Sequence, residues 1–158
     1  MVSKNGCLLL NFGPKPDGTI PKEQVNVLEQ LGDWLRTNGE AIYDTRPYET
    51  FGEGPTSVGG DALSERKNQV FTAQDIRFKR SKGGNALYAV LMAAPTTDCI
   101  PIESLGTIKS EAGEIESVSI LGIGEIEWTQ KESGLHAILL ENHGISSLFA
   151  IKIKMRSN

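Results

Sequence analysis

Apolar and polar positions alternate along this chain with two different periods. Near the start, Leu8-Leu9-Leu10 is a short unbroken apolar run, the length of a strand buried on both faces. Gly13-Pro14 stops it, because proline cannot extend a ladder and glycine allows a sharp turn. A polar loop, Lys15-Pro16-Asp17-Gly18-Thr19, leads to Pro21, which suits the first turn of a helix. Val25, Leu28, Leu31 and Leu35 then form one helical stripe, and Asn38-Gly39 is a stop signal. A doubly buried strand feeding an amphipathic helix is the repeating unit of a β/α barrel. One such unit cannot close a barrel.

From Gln74 onward the period changes to two. Ile76 and Phe78 alternate with Asp75, Arg77 and Lys79, and Ser81-Lys82-Gly83-Gly84-Asn85 suits a hairpin turn. Leu87 to Ala94 is apolar throughout and reads as a central strand, and Ile100 and Ile102 mark a short one. Val118 and Ile120 alternate with serines, and Ile126 and Trp128 alternate with Glu125, Glu127 and Thr129. Leu135 to Leu140 and Phe149 to Met155 complete the set. Turn signals recur with no helical pattern between them, which favours an antiparallel β-sandwich over a parallel sheet. Its predicted inward residues are Phe78, Leu87, Val118, Ile120, Trp128, Ile138, Phe149 and Ile151.

The expected fold is therefore mainly β: an antiparallel sandwich preceded by one strand–helix unit. The expected division is 1–45 for that unit, 46–73 for a connecting segment and 74–158 for the sandwich. The connecting segment is poor in apolar residues and holds Gly52, Gly54, Gly59 and Gly60. Such a segment orders weakly by itself.

At 158 residues the chain can bury one ordinary core but falls short of the ~250 residues of a TIM barrel. The formal charge of −4, with basic residues scattered, offers no footprint for nucleic acid. No apolar run reaches the ~18 residues of a membrane span, and no secretory signal is visible. Cys7 lies in the apolar run and reads as a small core residue, while Cys99 has no partner at short spacing. The redox compartment and localisation stay open.

Candidate chemistry is thin. His136 and His143 are the only histidines, and neither belongs to a zinc pattern, so no metal or cofactor is expected. His136 shares a strand face with Ile138 and Leu140 and reads as half-buried and hydrogen-bonded. Gly122-Ile123-Gly124 is too short for a dinucleotide fingerprint and reads as a bulge or tight turn. Glycoside hydrolysis would need two carboxylates, about 5–5.5 Å apart for retention. Glu125 and Glu127 read as sharing one strand face about 7 Å apart, and Glu111, Glu114 and Glu116 cluster around Gly113. Neither set has an apolar pocket to raise one pKa, so both read as solvated faces. Trp128 reads as core; an exposed ring there would instead be a platform for sugar. Asn11 ends the first strand, where barrel chemistry collects, and either bonds a neighbouring loop or touches substrate. Tyr48 and Phe51 are the aromatics a core explains least and could contact substrate or a barrel. Trp34 could seal the helix against a barrel layer or the sandwich.

The run SKNGCLLLNFGPKPDGTIP, with LGDWLRTNGEAIYDTRP, FGEGPT, FTAQDIRF, NALYAVLMAAP and VSILGIGEIEWTQKESGLHAILL, resembles α-L-fucosidases of glycoside hydrolase family 29. The resemblance covers nearly the whole chain. It implies the tail of an enzyme with a barrel and a C-terminal β-sandwich, hydrolysing terminal α-L-fucosides with retention. It also implies that the catalytic aspartate and the acid/base carboxylate belong to barrel segments upstream of Met1. This portion would then be structural, its partners being that barrel, fucosylated glycans through the whole enzyme, and other copies of itself by self-association. The alternative is a carbohydrate-binding module without hydrolytic activity. Family members are often secreted, periplasmic or lysosomal. Ala94-Pro95 stands where relatives commonly carry a tryptophan–proline pair, and LLENHGISSLFA replaces a proline-bearing turn. Both departures touch the sandwich surface.

Overall fold

The structure, a computed structural model, describes residues 2–56, 70–107, 114–139 and 148–156. Helix α1 spans Lys22–Asn38, with Pro21 at its N-cap and Gly39 at its C-cap. A 3-10 turn, Gly39–Ala41, continues from its end. Nine strands follow among the described residues: β1 Thr45–Glu53, β2 Ile76–Ser81, β3 Ala86–Leu91, β4 Cys99–Ile102, β5 Ile115–Ile120, β6 Gly124–Glu125, β7 Glu127–Lys131, β8 Gly134–Ile138 and β9 Ala150–Met155. They form a six-stranded sheet, ordered β1-β2-β3-β9-β5-β6, and a three-stranded sheet, ordered β4-β8-β7. Every adjacent pair is antiparallel. The mainly β fold with a single preceding helix is the one the alternation predicts.

The inner faces of the two sheets share one core. Phe78 on β2, Leu87 and Ala89 on β3, and Ile151 and Ile153 on β9 pack with Ile100 and Ile102 on β4 and Leu135 and Ala137 on β8. On β5 the two-residue period slips, since Ile115, Val118 and Ile120 all enter the core. A register shift between Ile115 and Ser117 accounts for this, the extra bulge residue returning Ile115 to the inner face. The outer face of the larger sheet is covered by the end of the helix. Ala41 packs with Ala86, Tyr88 and Ala150 in a second, smaller cluster.

Several expectations are corrected. Leu8, Leu9 and Leu10 form no strand and are 55%, 94% and 44% exposed. Cys7 beside them is exposed rather than core. A strand buried on both faces needs neighbours on both edges, and no described strand pairs with this run. The stretch from 46 to 73 is not all connector, because Thr45–Glu53 is the edge strand of the larger sheet. It pairs with β2 at Thr45–Ser81 and Glu53–Ile76, with a bulge between Pro47 and Gly52. Ile138 is half-buried and faces away from the core, whose residues on that strand are Leu135 and Ala137. Residues 57–69, 108–113 and 140–147, which include Gly59, Gly60, Glu111, Gly113, Leu140 and His143, lie outside the described residues. No described helix is long and apolar enough to cross a membrane.

Candidate functional site

An open groove of about 820 Å³ lies between α1 and the larger sheet. Leu31 and Trp34 of the helix face Val90, Ile123 and Leu148 across it. Its rim is apolar and open, Ile123 being 44% and Leu148 42% exposed. The helix is held at this distance by named contacts. Trp34 Nε1 donates to the Leu148 carbonyl at 2.8 Å, so the ring seals the helix to the sandwich. Buried Asn38 accepts from the Ala150 amide at 2.9 Å and donates to the Trp34 carbonyl. Gly122 sits at φ +83, and a Cβ there would stand 2.3 Å from Thr37 Cγ2. Only glycine allows both that backbone and that approach.

Beside the groove, Glu40 joins the 3-10 turn to the sheet. It accepts from the Tyr88 hydroxyl at 2.8 Å and from Lys152 Nζ. The Lys152 hydrogen bond holds the Glu40 carboxyl below its usual range, against the opposing effect of burial. Burial pushes the Tyr88 phenol far up, and Glu40 adds to that. Lys79, 4% exposed, donates to the Val2 carbonyl at 3.2 Å, and burial lowers its pKa. These groups tie the N-terminal segment down; each charge is matched or capped.

Glu125 and Glu127 do not share a strand: Glu125 closes β6 of one sheet and Glu127 opens β7 of the other. The chain crosses between sheets at Ile126, which packs on the core. Glu114 pairs with Arg156 at 2.7 Å and Glu116 with Lys154 at 2.9 Å, all four well exposed.

Asn11 is exposed in a segment without regular structure, so it stands at no strand end. Tyr48 is half-buried, and its ring meets Phe78 edge-on at 6.2 Å and packs against the core. Phe51 is 42% exposed and lies under Lys4 Nζ, 4.3 Å from its ring centre. His136 is half-buried as expected, with Cys99 Sγ 3.6 Å from Nδ1 and Ser133 Oγ 3.5 Å from Nε2. No described group of three or more His, Cys, Asp or Glu side chains is placed to hold a metal ion. Trp128 pairs across β7 and β8 with Ala137 and packs on the core, half-buried. Trp128→Ala is therefore expected to cost roughly 1.5–2.5 kcal/mol, about half the value for a fully buried ring. Thermal unfolding checks the loss, and glycan-array binding should be the same before and after.

Two structural carboxylates escaped the alternation pattern. Asp75, fully buried, accepts from the Thr56 amide at 3.0 Å and hydroxyl at 2.8 Å, and from the Thr72 amide at 2.7 Å and hydroxyl at 2.9 Å. Burial pushes its carboxyl up, but these four bonds outweigh that and hold it below the usual range. The Thr72-x-x-Asp75 spacing, like that of a capping box, was the available signal. Glu53 accepts from the Glu103 and Ser104 amides, both at 2.8 Å, and from the Ser104 hydroxyl. It fastens the edge of the larger sheet to the 3-10 turn Glu103–Leu105 after β4, and no local pattern announces that contact.

Comparison with known proteins gives the context. The model of the α-L-fucosidase family matches residues 1–40, and that of the α-L-fucosidase C-terminal domain matches residues 68–154. Human plasma α-L-fucosidase is 32% identical over 132 residues, covering 83% of this chain and 24% of its own length. Human tissue α-L-fucosidase is 30% identical over 158 residues, covering 98% of this chain and 29% of its own. The Thermotoga maritima α-fucosidase crystallised with fucose superposes with a TM-score of 0.70 at 30% identity, over 96% of this chain and 31% of that one. A Bacteroides thetaiotaomicron fucosidase, 19% identical, shares the fold with a TM-score of 0.68. The chain thus spans about a quarter of the length of the curated relatives it matches.

Proposed function

As the chain belongs to the α-L-fucosidase family and carries that family's C-terminal domain, we propose that it serves as the non-catalytic tail of a retaining enzyme. The whole enzyme would remove terminal α-L-fucose from glycans, and this part would brace the catalytic barrel. In this reading 1–45 belongs with the barrel and 74–158 is the sandwich, and the stretch 46–73 between them gives the sandwich its edge strand, Thr45–Glu53, before it connects the two.

One observation carries the proposal. The Leu8–Leu10 run, in a segment matched by the family model for residues 1–40, lies exposed with Leu9 94% open to solvent. Three consecutive exposed leucines are costly for a finished surface, at roughly 1.5–3 kcal/mol of unrealised burial for Leu9 and about half that for Leu8 and Leu10. A neighbouring barrel strand would recover that. The apolar groove between α1 and the larger sheet is a second uncovered surface.

The test has two arms. The purified chain is expected to release no p-nitrophenol from p-nitrophenyl α-L-fucoside above the blank. It is also expected to bind the dye ANS and to self-associate with concentration in light scattering, because the run and the groove lack their cover. Robust turnover abolished by substituting a carboxylate of this chain would overturn the proposal. So would a monodisperse monomer that binds no dye.

A further inference from the structure

The outer face of the three-stranded sheet carries a cluster of three side chains that the fucosidase reading does not use. The central strand β8 places His136 between Pro101 of β4 and Thr129 of β7. Cys99, paired with Ile138 one step along the same face, brings Sγ to 3.6 Å from His136 Nδ1. Ser133, in the turn between β7 and β8, puts Oγ 3.5 Å from Nε2 on the other side of the ring. The thiol is partly exposed, so a small reagent can reach it. This face is the far side of the sandwich from α1 and its groove, since the larger sheet carries the helix end on its outer face and the core lies between the sheets.

A nucleophile within reach of a base, and a third group orienting that base, is the arrangement that activates a nucleophile on many unrelated folds. We infer that Cys99 is a nucleophilic thiol that exchanges with low-molecular-weight disulfides, with His136 as its base and Ser133 as the positioning residue. In the tautomer that fits, Nε2–H donates to Ser133 Oγ and Nδ1 is free to accept from the thiol. Nδ1 takes the Sγ–H proton as Sγ attacks one sulfur of the disulfide. The new S–S bond forms while the old one breaks, and the departing thiolate recovers the proton from the imidazolium. One disulfide is consumed and one mixed disulfide is made, with no net oxidation.

The chain contains its own control, because Cys7 is the more exposed of the two thiols. The folded chain is incubated with glutathione disulfide at pH 7 and quenched in acid, and the mixed disulfide at each cysteine is followed by peptide mass spectrometry. Cys99 should react about tenfold or more faster than in His136→Gln, at or below the roughly 10²–10⁴-fold a positioned base supplies. The rate at Cys7 should be the same in both proteins. Ser133→Ala, in an exposed turn, should slow Cys99 severalfold at an unchanged melting temperature, and Ser133→Thr, which keeps the hydroxyl, should restore it. Should His136→Gln fail to fold, the Ser133 pair decides. Equal Cys99 rates in the parent and in the folded variants would overturn the inference. So would a parent in which Cys7 reacts and Cys99 does not.

Discussion

Phe78→Ala is expected to lower the unfolding free energy by roughly 3–5 kcal/mol. Phe78 has no exposed surface, and β2 holds it between β1 and β3. Its ring packs on the side chains of both sheets and meets Tyr48 edge-on, 70° between the ring planes. Alanine leaves a void that backbone paired on both sides cannot close. Against a total near 5–15 kcal/mol the loss is large, and it corresponds to about 6–20 °C in melting temperature. Phe78→Leu retains most of the volume and should cost less than about half as much. Urea denaturation of the pair measures this. A cost below about 1 kcal/mol for the alanine variant would mean that the two sheets are not packed together at this point.

Asp75→Ala is expected to cost roughly 2–4 kcal/mol, because it strips the acceptor from the backbone amides and hydroxyls of nearby Thr72 and distant Thr56. Asparagine is no safe replacement. Oδ2 accepts three of the four bonds, and an amide nitrogen in that place would face donors. The contribution also depends on pH. The folded carboxyl titrates below the ordinary aspartate value of 3.8, so its stabilisation is complete above that value. It is lost as the pH falls through the lower folded value. Unfolding at pH 7 and pH 3 should therefore show a larger acid loss for the parent than for Asp75→Ala. Parallel losses in the two proteins would show that the carboxylate is not held by these bonds.

Much of this architecture was legible because it rests on short-range periodicity. The stripe of Val25, Leu28, Leu31 and Leu35 announces α1, and the alternation at Ile76 and Phe78, or Ile151 and Ile153, announces β2 and β9. β2 and β9 bury one face and repeat with the period of a strand, whereas the stripe on α1 keeps the helical period although it is at most half-buried, Asn38 being the helix's only buried residue. β1 escaped notice for the converse reason. Most of its residues are exposed, and it is held by its ladder with β2, by Tyr48 on the core and by the Glu53 carboxylate rather than by a continuous apolar face. The candidate sites fared unevenly. The solvated character of Glu114 and Glu116 is readable from their surroundings in the sequence, whereas the ring contact of Tyr48, an aromatic that a core explained least, with Phe78 is not.

Local pattern by itself thus determined the helix, most strands, the antiparallel class and the family likeness, all of which depend on residues near one another in the chain. Tertiary structure alone decided the rest. It sent Glu125 and Glu127 to different sheets, turned Ala137 inward in place of Ile138, and left the Leu8–Leu10 run uncovered. It also brought Cys99 to His136 across 37 positions and Asp75 to Thr56 across 19. An apolar residue records only that burial is favourable. Whether it is buried, and beside what, depends on which distant strands are present to pair with it, and that information lies in the register between strands rather than in any one of them.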